Sequence, residues 1–144
     1  MATERRAEVR WQGSLTDGSG TIVSTTTGAI GEQAVSWPAR STDETGGVTS
    51  PEELLAAAHA ACFAMALANG LAQDGHAPEE LRTSASVTFQ PGEGITRIVL
   101  TVDGSVAGLD EDGFRAAAQT AKENCPISQA LAAVPEITLE ARLT

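Results

Sequence analysis

Between Ser50 and Ala68 the sequence is apolar almost without interruption, and it starts with the residues that open a helix. Ser50 offers a side-chain oxygen as N-cap, Pro51 fills the first helical position where its missing N–H costs nothing, and Glu53 completes a Ser-x-x-Glu capping box. The run Leu54-Leu-Ala-Ala-Ala-His-Ala-Ala-Cys-Phe-Ala-Met-Ala-Leu-Ala68 predicts a helix that stops near Asn69-Gly70 or at Gly75, residues suited to a left-handed helix end. About 18 apolar residues could cross a bilayer by length. This run, however, is built on Ala rather than Leu, contains His59 and lacks a basic flank. The expectation is a helix buried on most of its faces, inside a core or a subunit interface.

The remaining sequence supplies strands to cover it. Val9 and Trp11 alternate with Arg10 and Gln12, a turn follows at Thr16-Asp-Gly-Ser-Gly20, and Thr21 to Thr27 resumes an extended pattern, which predicts a hairpin. A short strand through Ala34-Val35-Ser36-Trp37 is expected to end at Pro38, and Ser41 to Thr49 reads as a loop. Leu81–Gln90 and Ile95–Val102, joined by Pro91-Gly-Glu-Gly94, predict a second hairpin. A helix from Leu109 to Lys122 carries acids in its first turn and a base in its last. Cys125-Pro126 breaks it, a shorter helix over Ile127–Ala133 follows, and Ile137, Leu139, Ala141 and Leu143 alternate as a final strand. Hairpins with inserted helices point to an α+β domain, and 144 residues suit one domain spanning 1–144.

Composition excludes some partners. A net charge of -10 repels phosphate backbones and anionic headgroups, and 3% aromatic content with no Tyr leaves little on which bases could stack. The polar start Met1-Ala-Thr-Glu-Arg-Arg lacks the apolar segment of a secretory signal, so a cytoplasmic, reducing location is expected. Two cysteines, Cys62 and Cys125, stand 63 positions apart. They are either inert buried thiols or reactive ones. Cys125 directly precedes Pro126 at a helix start, where backbone N–H groups favour a thiolate, whereas Cys62 lies mid-helix and would need a cation brought to it. Arg40 is the distinctive candidate, because it follows Trp37-Pro38 and enters the loop leading to the Cys62 helix. His59 shares the helix face of Cys62 three positions on, which allows a general base, a metal ligand with the two cysteines, or a packed interface residue. Phe63, Met65, Leu67 and Ile127 would form a greasy substrate mouth or simply core.

Two stretches, Thr49-Ser-Pro-Glu-Glu-Leu-Leu-Ala-Ala-Ala-His-Ala-Ala-Cys-Phe-Ala-Met-Ala-Leu67 and Glu123-Asn-Cys-Pro-Ile-Ser-Gln-Ala-Leu131, resemble the OsmC/Ohr family of thiol-dependent hydroperoxide reductases, on the OsmC (osmotically inducible protein C) side. The resemblance extends over essentially the whole chain, from Val9-Arg-Trp-Gln-Gly to Ile137-Thr-Leu. It implies an intertwined homodimer, with antiparallel sheets around two long central helices and active sites at the subunit interface. It further implies reduction of organic hydroperoxides, and more weakly hydrogen peroxide, to alcohols. By that resemblance Cys62 is the peroxidatic thiol, Cys125 the resolving thiol, and Arg40 with Glu52 the activating pair. A lipoyl-bearing protein is the implied reductant, and no cofactor or metal is implied. The alternatives are a Cys/His metal-binding protein and a non-catalytic, stress-related ligand-binding protein.

Thiolate attack on R–O–O–H expels an alkoxide, so a cation is needed both to hold the sulfur anion and to offset charge on the departing oxygen. Arginine stays charged and presents a planar fork of donors, which a carboxylate such as Glu52 can clamp. Glu52 and Cys62 are ten positions apart on one helix, roughly 15 Å along its axis. If Glu52 serves Cys62, it does so from a partner subunit.

Overall fold

Eight short or medium elements flank two longer helices in the computed structural model, which describes all residues 1–144. The chain divides into two compact units, Met1–Leu54 and Leu55–Thr144.

The first unit is a three-stranded antiparallel sheet in the order β1 (Ala7–Gln12), β2 (Ser19–Thr25), β3 (Gln33–Val35). The expected hairpin is present, and Trp11 faces Gly20 across it. Only glycine fits there: a Cβ at position 20 would sit 2.7 Å from the indole ring. After β3 the structure departs from the expected strand. Trp37–Ser41 is a short helix, α1, whose N-cap Ser36 accepts a hydrogen bond from the Ala39 N–H. Pro38 therefore opens a helix instead of ending a strand, because its missing N–H falls in the first turn, where no intrahelical partner exists. Arg40 consequently sits in the last turn of α1. A single parallel bridge ties Val35 to Thr49 just before the long helix.

That helix, α2 (Pro51–Gln73), runs unbroken for 23 residues. At its start Ser50 Oγ accepts from the Glu53 N–H, but the Glu53 carboxylate takes the Thr49 hydroxyl, so only half of the capping box forms. The helix passes through Gly70 and ends at the second expected stop. Gly75 adopts φ +84°, the His76 N–H donates to the Leu71 carbonyl and the Gly75 N–H to that of Ala72, a Schellman end. By length and composition alone α2 could cross a membrane.

In the second unit, His59, Phe63, Leu67 and Leu71 recur every four residues on α2 and are the positions its own unit buries. Ala58, Ala61 and Met65 remain exposed, Met65 at 72%. The sheet has the order β4 (Glu80–Gln90), β5 (Gly94–Ser105), β6 (Glu136–Leu143). β4 and β5 form the expected antiparallel hairpin, but β6 pairs parallel to β5 from Arg97↔Glu136 to Gly104↔Leu143, which corrects the expectation of purely antiparallel sheets. A parallel partner needs a long crossover. Here it consists of α3 (Glu111–Asn124), capped by the Asp110 carboxylate, and α4 (Pro126–Ala130). The core joins Phe63, Leu67 and Leu71 to Leu100 and Val102 of β5, and to Phe114, Ala118 and Cys125. Each fully buried Phe or Leu side chain contributes about 1.5–3 kcal/mol. Gly104 is bare because the Phe114 ring lies directly over it. The Thr83 hydroxyl of β4 donates to the Ala60 carbonyl of α2.

Candidate active site

The sequence-predicted residues fall into two pairs, one in each unit. In the second unit the two cysteines meet. Cys62 comes from the middle of α2 and Cys125 from the residue that ends α3 and caps α4, and their sulfurs are 2.9 Å apart. Both are free thiols, Cys62 half-buried and Cys125 fully buried. A disulfide requires about 2.05 Å, so the reduced pair stands within 1 Å of bonding distance.

The surroundings separate the two sulfurs chemically. Burial raises the Cys62 thiol pKa, and the hydrogen bond and charge shared with Cys125 raise it further, against a weaker lowering by the Ile127 backbone N–H. For Cys125 burial also acts upward. It is outweighed by the lowering influence of the Cys62 side chain, of the Ser128 backbone N–H and hydroxyl and of the Ile127 N–H, so its pKa falls below the ordinary thiol value. The surroundings therefore favour the thiolate at Cys125 over the thiolate at Cys62. The break at Cys125-Pro126 ends one helix and starts the next, which leaves first-turn N–H groups of α4 in the neighbourhood of the sulfur, although Cys125 Sγ makes no capping hydrogen bond.

His59 lies one turn before Cys62 and is fully buried, with its Nε2 2.7 Å from Ser128 Oγ. Burial lowers its pKa, so the ring is neutral. No group of three or more His, Cys, Asp or Glu side chains is placed to hold a metal ion. Phe63 and Leu67 are core residues, Ile127 packs against that core, and Met65 is exposed. Ser128 was not foreseen. Its only signal in the sequence is its place three residues after Cys125.

In the first unit Arg40 and Glu52 form the other pair. Arg40 Nε lies 3.0 and 3.2 Å from the two Glu52 carboxylate oxygens, and Nη2 lies 3.0 Å from Oε1. One edge of the guanidinium thus faces the whole carboxylate. Glu52 is buried and Arg40 half-buried, so the pair is shielded from water more than the other ion pairs of the chain. Arg82, Arg97 and Arg115 instead make exposed pairs with Glu80, Glu136 and Glu111. Beside Arg40 lies a cavity of about 180 Å³ lined by Trp11, Leu15, Val35, Trp37 and Pro51. It gives the cation an apolar border, for which the sequence offered no aromatic residue between Arg40 and Ser50.

Comparison with known proteins places the chain. OsmC of Escherichia coli (strain K12), a peroxiredoxin, is 40% identical over 99% of both chains, and that of Shigella flexneri matches equally. Among solved structures, an OsmC-like protein from Mycoplasma pneumoniae shares the fold with a TM-score of 0.70 at 15% identity, covering 100% of this chain and 98% of that one. The organic hydroperoxide resistance protein OhrB of Bacillus subtilis does so with a TM-score of 0.64 at 24% identity, covering 96% and 98%. Residues 44–140, which contain both cysteines, His59 and Glu52, match the family model described as OsmC-like protein, and the chain accordingly belongs to the OsmC family.

Proposed function

We propose that this protein is a cysteine-based peroxidase that reduces organic hydroperoxides, and more weakly hydrogen peroxide, to alcohols, with Cys62 as the attacking sulfur and Cys125 as the resolving one. The observation that carries the reading is the 2.9 Å approach of two free thiols 63 residues apart in sequence. The 40% identity to a peroxiredoxin supports it.

The Cys62 thiolate attacks one peroxide oxygen; the S–O bond forms as O–O breaks, giving Cys62–S–OH and an alkoxide that takes up a proton to become the alcohol. Cys125 then attacks the oxidised sulfur. The S–S bond forms, S–O breaks, and hydroxide leaves as water. An external dithiol, such as that of a lipoylated protein, returns both cysteines to thiols. Because its own surroundings raise the pKa of Cys62, the first step needs a cation, and the Arg40 guanidinium aimed by Glu52 is the group fitted to supply it.

The uncovered apolar face of α2 at Ala58, Ala61 and Met65 supports a homodimer in which the helix is covered by a second copy. Glu52 and Cys62 are ten positions apart in the sequence of one helix, a rise of roughly 15 Å, so in this reading the Arg40–Glu52 pair of one subunit serves the cysteines of the other. Both units then act as one domain, working in the reducing cytoplasm.

Thiol titration before and after adding cumene hydroperoxide tests the reading. Two free thiols should become one intrachain disulfide, visible as a mobility shift without reductant. Stoichiometric zinc with protected thiols would favour metal binding, and thiols inert until unfolding would favour a non-catalytic protein. A forced monomer with full activity would overturn the shared site.

A further inference from the structure

The reaction above gives His59 no task, yet it is buried completely in the stripe of α2 that faces α4 through Ser128. Its two ring nitrogens differ sharply. Nε2 is 2.7 Å from Ser128 Oγ, while Nδ1 is buried with no hydrogen-bond partner at all. A neutral imidazole carries one N–H. Placed on Nδ1, that hydrogen would be an orphaned buried donor, a rarity in folded proteins; placed on Nε2, it is used, and only a lone pair is left over. The network therefore assigns the proton to Nε2 and makes the Ser128 oxygen an acceptor. The single hydroxyl hydrogen of Ser128 must then point away from His59. Ser128 is the third residue of α4, the helix that Cys125 caps, a spacing that brings its side chain back toward the Cys125 side chain, and the Ser128 hydroxyl acts on the pKa of that sulfur.

We propose that His59 is a positioning residue for the resolving step: its Nε2–H holds the Ser128 hydroxyl so that the hydroxyl hydrogen stays aimed at Cys125 Sγ, the sulfur that attacks Cys62–S–OH. This rests on the reading of Cys125 as the resolving thiol. The line His59, Ser128, Cys125 consumes no proton. It supports negative charge on the attacking sulfur until the S–S bond forms and hydroxide departs from Cys62. The orphaned Nδ1 is what a one-way relay leaves behind, because a second partner at that atom would let the tautomer reverse and turn the hydroxyl around.

The titratable groups facing Cys125 are Cys62 and, one hydroxyl removed, His59, both from α2; Ile127 and Ser128 of α4 and Ala118 and Ala121 of α3 are uncharged. The Glu123 carboxylate of α3 is engaged by the Gln119 amide. The test uses a Cys62→Ser background, in which Cys125 is the sole thiol, and follows its thiolate by ultraviolet absorbance against pH, with no peroxide present. Ser128→Ala should reduce the thiolate fraction at neutral pH by about tenfold, a midpoint shift of about one unit. His59→Leu should move it the same way, and should add nothing once Ser128 is already Ala. His59→Gln, whose amide N–H can reach the place of Nε2, should keep the original midpoint, whereas His59→Asn, whose amide reaches only the place of Nδ1, should not. The Gln and Asn variants decide the matter if His59→Leu does not fold. An unchanged midpoint in Ser128→Ala, equal midpoints for Gln and Asn, or an undiminished His59→Leu effect in the Ser128→Ala background would overturn the proposal. The titration needs no turnover, so its result stands apart from that of the hydroperoxide assay.

Discussion

The middle of α2 and the junction of α3 with α4 each hold a free cysteine, and backbone position helps to set them at odds. At Cys62 the surrounding amides are already committed to the helix ladder, so burial and the neighbouring sulfur raise the thiol pKa. At Cys125 one helix has ended and another is starting, and the first-turn N–H groups of Ile127 and Ser128, which lack partners within the helix, lower the pKa of the sulfur. A mid-helix sulfur must borrow its charge from elsewhere, whereas a sulfur at a helix junction has donors built in. The ion pair of the first unit fits that need, because it is the shielded cation of the chain.

The contrast can be broken most directly by exchanging one sulfur at a time. Cys62→Ser should lower hydroperoxide consumption by about 10³-fold or more, since nucleophile removal leaves only background reaction. Cys125→Ser should instead complete one turnover and stop, with the sulfenic acid trapped by dimedone at Cys62. Equal loss in both variants, with no trapped species, would reverse the roles or merge them. A smaller effect sharpens the claim that charge is borrowed. Arg40→Ala should slow the peroxide-dependent loss of the Cys62 thiol by about 10²–10³-fold, the range for deleting one preorganised donor, while leaving the Cys125 thiolate titration in place. An unchanged first step would move the cation's task to another residue.

The smallest effect concerns stability. The folded-state pKa of His59 is depressed by burial, so below the ordinary imidazole value the unfolded chain takes up a proton that the folded chain refuses. Its contribution is complete above that value and is lost as pH falls toward the folded pKa. The unfolding free energy from urea titrations should therefore decline as pH falls below the ordinary imidazole value, with a slope of at most about 1.4 kcal/mol per pH unit from this residue. His59→Leu should flatten that part of the curve, and an identical slope would mean that the ring is not held neutral.

What could be read in advance follows the range of the interaction. The start of α2 is written locally in Ser50-Pro51, and both hairpins in alternation bounded by Gly and Pro. The Arg40–Glu52 and Cys62–Cys125 encounters were reached only through the family resemblance, and both are present as contacts. The short helix α1 was missed because Pro38 signals either a strand's end or a helix's first turn, and the Ser36 cap that decides between them is a single hydrogen bond. The direction of β6 was missed because side-chain alternation is the same in parallel and antiparallel pairs. Ser128 gains its importance from His59, 69 positions away, which no local pattern encodes.

The parallel pairing of β6 bears on how the protein is born. The crossover between β5 and β6 is the segment that carries Cys125, and it has no fixed seat until the last strand docks alongside β5 from Glu136 to Leu143. A nascent chain emerging from the ribosome exposes the Cys62 helix well before that moment. For that interval the Cys62 sulfur lacks the Cys125 neighbour it has in the folded chain, and a lone oxidised sulfur is open to further oxidation beyond the recoverable stage. Translation under peroxide stress is thus a hazard that this topology imposes on the very enzyme meant to relieve it.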